Sequence, residues 1–435
     1  MAPRFGARAA SAALAVAAAI SLAGGSSFGA GGAAPATEPL RLGTAGAANS
    51  GVSLAAIGAS VVASWAARSG AVTDVYAAWS RDGGASFEAP LRVNDVAGDA
   101  RVSGEQAPRV AGSATTRIVW VSSQGGTAVV RSAARPSGEP AFAAASTVHR
   151  EGLTGARGWA SLAVGPDGAA HVAWLDGRGD PPKDGATAKP SEPGPAAHAG
   201  HGGGRHGGSR QDLFQATVLP DGTRSETRIA TNVCFCCKTA VATAPDGSVY
   251  VAWRHIYPPN LRDIAVARSR DGGLTFDAPV RVSEDGWAID GCPDDGPSIA
   301  VDGRGALHVA WPTRVSELGK GIFYSRSTDG GRTFAPRARV DETPGGAGHP
   351  QLALAGDRVV VVWDEKGESG RRARLREIAA AAGAAAWPPQ LEPAVVLATG
   401  SVSYPAVAAT EKATLAAWTE GEGAASSIRV LRIAR

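Results

Sequence analysis

The chain has 435 residues, 57 of them glycine and 28 proline, and carries a formal net charge of +3. Its 43 Lys and Arg residues form no run of five or more, which leaves nucleic-acid binding without an electrostatic footing. Beyond the N-terminal segment, no stretch reaches the roughly 18 apolar residues that a transmembrane helix needs, so no membrane span is expected.

The first 36 residues read as a signal peptide. Arg4 and Arg8 supply positive charge, residues 9–23 are an apolar run, and Ala34-Pro35-Ala36 offers a small-x-small cleavage site. The mature chain, 37–435, is therefore expected in the periplasm or secreted, acting as a monomer.

From residue 37 onward one unit recurs. Residues 162–174 read LAVGPDGAAHVAW, 241–253 VATAPDGSVYVAW and 299–311 IAVDGRGALHVAW. Each is an apolar strand, a Gly/Asp turn and a second apolar strand, which is a hairpin signature. Weaker copies end at Trp65, Trp120, Trp363 and Trp418. Successive tryptophans lie 52 to 58 residues apart, except for a gap of 79 after Trp174, where residues 179–210 form a Gly/Pro/His-rich insertion. A period near 50 residues with about four strands predicts an all-β propeller of four-stranded blades. The spacing predicts seven blades, with six as the alternative. A β-sandwich would leave the in-phase tryptophans unexplained. The last repeat lacks a strand, and Leu40-Arg41-Leu42 resembles the strands that end other repeats. It is predicted to close the ring and cover an exposed sheet edge. The Ala-rich residues 371–386 are read as a strand plus a loop.

A second motif, S-x-D-G-G-x-[ST]-F, occurs at residues 80–87, 269–276 and 327–334, centred on Asp82, Asp271 and Asp329. Asp can hydrogen-bond the turn backbone and Gly accepts positive φ, so the motif builds a turn. These copies resemble the Asp boxes, or BNR repeats, of the sialidase superfamily, and with the hairpins the resemblance covers residues 40–435. Asp boxes fold turns and do not catalyse, and sialidases usually have six blades. The resemblance implies an active site near the axis, on the face opposite the Asp boxes. It also implies an arginine triad gripping a carboxylate, a tyrosine nucleophile activated by glutamate, and an aspartate acid/base; the tyrosine sets sialidases apart among glycosidases. In this chain Tyr404 would be the nucleophile, Glu365 its base, and Arg109, Arg254 and Arg314 the grip. The family's Arg-Ile-Pro motif is absent; Arg109 follows Ala107-Pro108 instead. That puts exo-α-sialidase activity in doubt.

Most unusual residues map to loops of that second face. They include Trp159, His349, Asp364, the 179–210 insertion, and both cysteine-bearing loops. All four cysteines, Cys234, Cys236, Cys237 and Cys292, lie in two loops that precede consecutive blades. Three readings stay open: disulfides, a soft-metal site for Cu or Zn with help from His255, or a redox-active pair. His198, His201 and His206 in the insertion could hold metal loosely or be a solvated loop. His171 and His308, inside hairpins, read as structural. The leading functional reading is a binding module whose ligand is a glycan or another anion. Arg254, His255, Asp290, Asp294, Asp295 and Arg314 would line its site, with the arginines favouring negative charge. The alternatives are a sialidase-type glycosidase and a periplasmic metal-binding protein.

Overall fold

The computed structural model describes residues 38–435 apart from 153, 179–210, 290, 292, 343–344 and 380–386. Residues 1–36, expected to be a signal peptide, the insertion with His198, His201 and His206, and the positions Asp290 and Cys292 lie outside the described residues.

The hairpin units fold as their turns dictate. In the 241–253 copy, Gly247 takes φ +80°, its N–H donates to the Ala244 carbonyl at 3.0 Å, and Asp246 Oδ1 accepts the Ser248 N–H at 2.9 Å. The other two copies close the same way, with Gly168 N–H to the Gly165 carbonyl and Gly305 N–H to the Asp302 carbonyl, each at 3.0 Å. Alternating apolar residues then bury one face of each strand.

Among the described residues there is no α-helix, no helix long and apolar enough to cross a membrane, and a series of antiparallel sheets, most of them four-stranded. One eight-stranded sheet is two such units joined only where Val233 pairs with His255. In sequence order, the first strand of each unit touches the first strand of the next. Ala48–Ile57 meets Arg109–Gly112, then Arg157–Val164, Ala240–Thr243, Ser298–Val301, Ala347–Ala355 and Val402–Ala409, which returns to Ala48–Ile57. The architecture is propeller-like. The N-terminal strand Leu40–Leu42 pairs with the C-terminal strand Ser427–Ala434, Leu40 opposite Val430 and Leu42 opposite Ile428. The Ala-rich segment is a strand over Gly370–Ala379, and the rest of it lies outside the described residues.

The core sits between consecutive sheets. All seven repeat tryptophans are fully buried. Trp311, for example, packs with Ala252, Ile264 and Val266 of the preceding unit, and Trp418 with Ala373 of its predecessor. Such rings bury roughly 150–250 Å² each, which makes them the main apolar contribution at each seam. His171 and His308 are buried and bonded to Thr217 and Tyr324, as structural residues should be.

The three S-x-D-G-G turns share one bonding pattern. Asp82 Oδ1 accepts from Ser80 Oγ at 2.8 Å and from the Ala85 and Ser86 N–H groups at 2.9 Å, while Gly84 N–H donates to Ser80 Oγ at 2.7 Å. Asp271 and Asp329 repeat it. Gly84 is needed for space as well as for its φ of +93°: a Cβ there would lie 2.1 Å from Leu415 Cδ2 of the C-terminal sheet.

Candidate functional site

Four of the first strands break register at the same point. The shifts fall between Ser50 and Ser53, Gly158 and Ser161, Gly348 and Gln351, and Ser403 and Ala406. Each contains one residue at left-handed φ: Gly51 (+66°), Trp159 (+52°), His349 (+55°) and Tyr404 (+49°). A bulge bends the strand and re-aims a side chain. Holding a large side chain at positive φ costs about 1–3 kcal/mol, so the surroundings must impose it. Here they impose it on a tryptophan, a histidine and a tyrosine at the same end of the first strands.

His349 is the hub. Its N–H donates to Asp295 Oδ1 at 2.9 Å, its ring nitrogen Nδ1 donates to Asp364 Oδ1 at 2.9 Å, and its ring lies 4.3 Å from that of Tyr404. Tyr404 N–H donates to the second oxygen of the same carboxylate at 2.8 Å, and Arg371 pairs with Asp364 as well. Burial pushes the imidazole down, but the charges of Asp364, Asp295 and Glu105 outweigh it and bring its pKa up to about 9, so the ring is a cation at neutral pH. Burial likewise pushes Asp364 up, and His349 and Arg371 hold it below its ordinary value. The Tyr404 phenol is driven upward by burial and then by Asp294, Asp364, Glu105 and Asp295, so it stays a hydrogen-bond donor.

Facing His349 and Tyr404 across a narrow cleft are Gly104, Glu105 and Arg109, with Gln351 beside them. Glu105 forms a buried ion pair with Lys238 and accepts the Gly296 N–H at 2.7 Å. Burial raises its pKa against the pull of Lys238. Lys238 also donates to the Pro350 carbonyl at 3.2 Å. Arg109 donates to the Glu105 carbonyl at 2.6 Å, and among the described residues its guanidinium forms no ion pair. Gly104, at φ +50°, keeps the cleft open: a Cβ there would lie 3.0 Å from Asp294 Oδ2 and 3.2 Å from Tyr404 Oη. The cleft thus presents two cationic groups, a phenol and an amide, with the carboxylate of Glu105 taken up by Lys238 and that of Asp294 beside the phenol. That set suits a carboxylate or sulfate carried on a polyhydroxylated ligand.

The cysteine loop follows Arg224–Val233 and runs into Lys238. Cys234, Cys236 and Cys237 are all buried, and their sulfurs lie within 4.8 Å of one another. Cys234 and Cys237 are free thiols, whereas Cys236 is disulfide-bonded. The hydrogen bond from Cys237 lowers the Cys234 pKa to about 6, against burial and with help from Arg254 and Arg262. Burial drives Cys237 well above its ordinary value.

The structure regroups the residues that the sequence singled out. Arg109, Asp294, Asp295 and Tyr404 gather at the cleft. Arg254 does not. It is fully buried, and its guanidinium donates to the Arg262, Asp295 and Pro312 carbonyls at 2.7 to 3.0 Å, which holds it inside the fold and away from the cleft. Arg314 is exposed in the second strand of its unit, opposite Lys320. Glu365 is no base for Tyr404. It accepts the Trp363 indole N–H at 3.0 Å and Arg374 at 2.9 Å, and Asp294 is the carboxylate that shares the Gly104 pocket with the phenol. His255 plays the same part as Glu365, taking the Trp253 indole N–H at 3.3 Å, and it is absent from the cysteine cluster. Asp176 does so for Trp174 at 2.8 Å. The pattern W-x-[DEH] therefore marks indole partners on one strand face, a signal present in the sequence and read there as chemistry. Glu105, Lys238, Arg371 and Gln351 were missed. No local pattern distinguishes them, because each acts through residues from other sheets.

No family profile matches this chain, and no curated protein sequence matches it. Solved structures do resemble it. An ulvan lyase, described as a new family of polysaccharide lyase, is 10% identical, with a TM-score of 0.56 over 91% of this chain and 98% of that one. The endosialidase of phage phi92 is 11% identical, with a TM-score of 0.50 over 91% of this chain and 68% of that one. A Trypanosoma rangeli sialidase aligns at 12% identity and a TM-score of 0.45, over 74% of this chain and 53% of that one, too distant to carry an argument. At such identities the likeness is one of fold alone.

Proposed function

We propose that this protein is an exported, seven-bladed, Asp-box propeller that binds an acidic glycan in the axial cleft between Arg109, His349 and Tyr404. The observation that carries the reading is Arg109, whose guanidinium forms no ion pair among the described residues, set across a cleft from an imidazole held cationic at neutral pH. The cyclic succession of first strands and the pairing of Leu40–Leu42 with Ser427–Ala434 support seven blades closed by the N-terminal strand. The identical bonding of Asp82, Asp271 and Asp329 supports the Asp-box assignment. The charged N-terminus, apolar run and small-residue cleavage site support removal of residues 1–36 on export. Sialidase hydrolysis through Tyr404 and Glu365 is not proposed, because Glu365 is engaged by Trp363 and Arg374.

The test is calorimetric titration with a glucuronate-containing oligosaccharide and with its neutral, carboxyl-reduced counterpart. The acidic sugar should bind and the neutral one should not. Arg109→Gln and His349→Gln should each weaken binding about tenfold or more, the scale of one charge-assisted contact. Equal binding of the two sugars, or no loss in either variant, would remove the reading.

A further inference from the structure

The cysteine cluster is a separate piece of chemistry. Cys234 Sγ and Cys237 Sγ lie 3.5 Å apart, both free and both buried, in a C-x-x-C arrangement. Cys234 Sγ also accepts a hydrogen bond from Arg262 Nη1 at 3.3 Å. One sulfur of the pair donates its S–H to the other, and the Arg262 contact favours Cys234 as the thiolate, so one member is suited to be a nucleophile and the other a proton donor. Only a small approach separates the two sulfurs from bonding distance.

We propose that Cys234 and Cys237 are a redox-active dithiol that closes reversibly to a disulfide by exchange with low-molecular-weight disulfides. The Cys234 thiolate attacks one sulfur of R–S–S–R, which forms a mixed disulfide and releases RS⁻. The Cys237 sulfur, losing its proton to a released thiolate, then attacks Cys234 Sγ and expels the second RS⁻. One intramolecular S–S bond forms and one intermolecular S–S bond breaks. Two electrons pass from the protein to the reagent, which leaves as RSH and RS⁻.

A metal centre fits these residues less well. A metal cation there would sit against the positive charge of Arg262 and Arg254, and the Cys236 sulfur is already committed to a disulfide. Burial of both thiols also sets a size rule: small disulfides should react faster than bulky ones.

The experiment uses the full protein, equilibrated in buffers of varied reduced-to-oxidised glutathione ratio, quenched with acid, alkylated without reduction and weighed intact. The expected result is two alkylatable thiols in reducing buffer. They should disappear together across one transition, with no retained glutathione, and return on adding dithiothreitol. Cys237→Ser should instead trap a glutathione adduct on Cys234. Arg262→Gln should move the midpoint of the pH–rate profile for alkylation upward. Two thiols that stay alkylatable in fully oxidising buffer would overturn the proposal. So would one equivalent of zinc or copper that co-purifies and shields both thiols until a chelator removes it. Neither result bears on glycan binding, so the two proposals fail separately.

Discussion

Lys238 and Glu105 meet as an ion pair with almost no solvent exposure, although they come from loops far apart in the chain. The pair also ties in Gly296 through Glu105 and Pro350 through Lys238, so four units are joined at one point. Removing one partner strands the other charge. Lys238→Met should therefore cost about 3–5 kcal/mol of stability in urea unfolding. Pairing it with Glu105→Gln should recover much of that loss, since no bare carboxylate remains. A double variant no more stable than the single would show that the pair acts through packing instead.

His349 makes stability depend on pH with a definite sign. Its folded pKa is raised from 6.5 to about 9. The contribution is complete below about pH 6.5 and is lost as pH rises through about 9. Unfolding free energy should fall between those values by an amount on the order of 2 kcal/mol. His349→Gln should flatten this window. The measurement is chemical denaturation of both proteins at pH 6 and pH 9, with the difference between them isolating this residue from other titrating groups.

Glu365 should behave as a structural residue. Glu365→Ala leaves the Trp363 indole N–H and Arg374 Nη1 without the acceptor they share, while Arg374 Nη2 keeps Glu342, and the change should destabilise by about 1–3 kcal/mol. Glycan affinity at 25 °C should be unchanged. Glu365→Gln, which keeps an acceptor for the indole, should fall between wild type and alanine.

The S-x-D-G-G turns should matter for stability alone. Asp271 accepts hydrogen bonds from the Thr275 hydroxyl and N–H, from Ser269 and from the Leu274 N–H, which lower its pKa to about 2. Its contribution is present above about pH 3.8 and fades as pH falls through about 2. Asp271→Ala should lower the melting temperature at pH 7 by a few degrees. At pH 2 the variant and the wild type should converge.

Deleting residues 37–45 should lower the melting temperature by about 5 °C or more and promote aggregation. Among the described residues Leu40–Leu42 is the only strand paired on that side of Ser427–Ala434, whose Ile428 and Val430 are buried. An unchanged melting temperature would show that the N-terminal strand is dispensable.

The hairpins, the tryptophans at each seam, the Asp turns and the pairing partner of Leu40–Leu42 were legible because each is a local pattern or a repeat. The site was legible only in outline. Arg109 and Tyr404 could be placed at one end of the first strands from strand order. Whether a guanidinium is free or spent could not. Arg254 and Arg109 look alike in sequence, yet one is spent on three carbonyls and the other faces the cleft. Glu365 was misread because strand alternation sends it beneath the sheet to Trp363, while Asp364, one residue earlier, points to His349 and Tyr404.

The pairing of Leu40 with Val430 sets an order of events during biosynthesis. Leu40–Leu42 leaves the ribosome long before Ser427–Ala434 exists, and it must wait unpaired until then. This contact joins residues far apart in sequence, and such contacts form late. A nascent chain cut short cannot make it and keeps a bare sheet edge. Only a chain translated through Ser427–Ala434 can hide that edge from proteases and from other copies of itself.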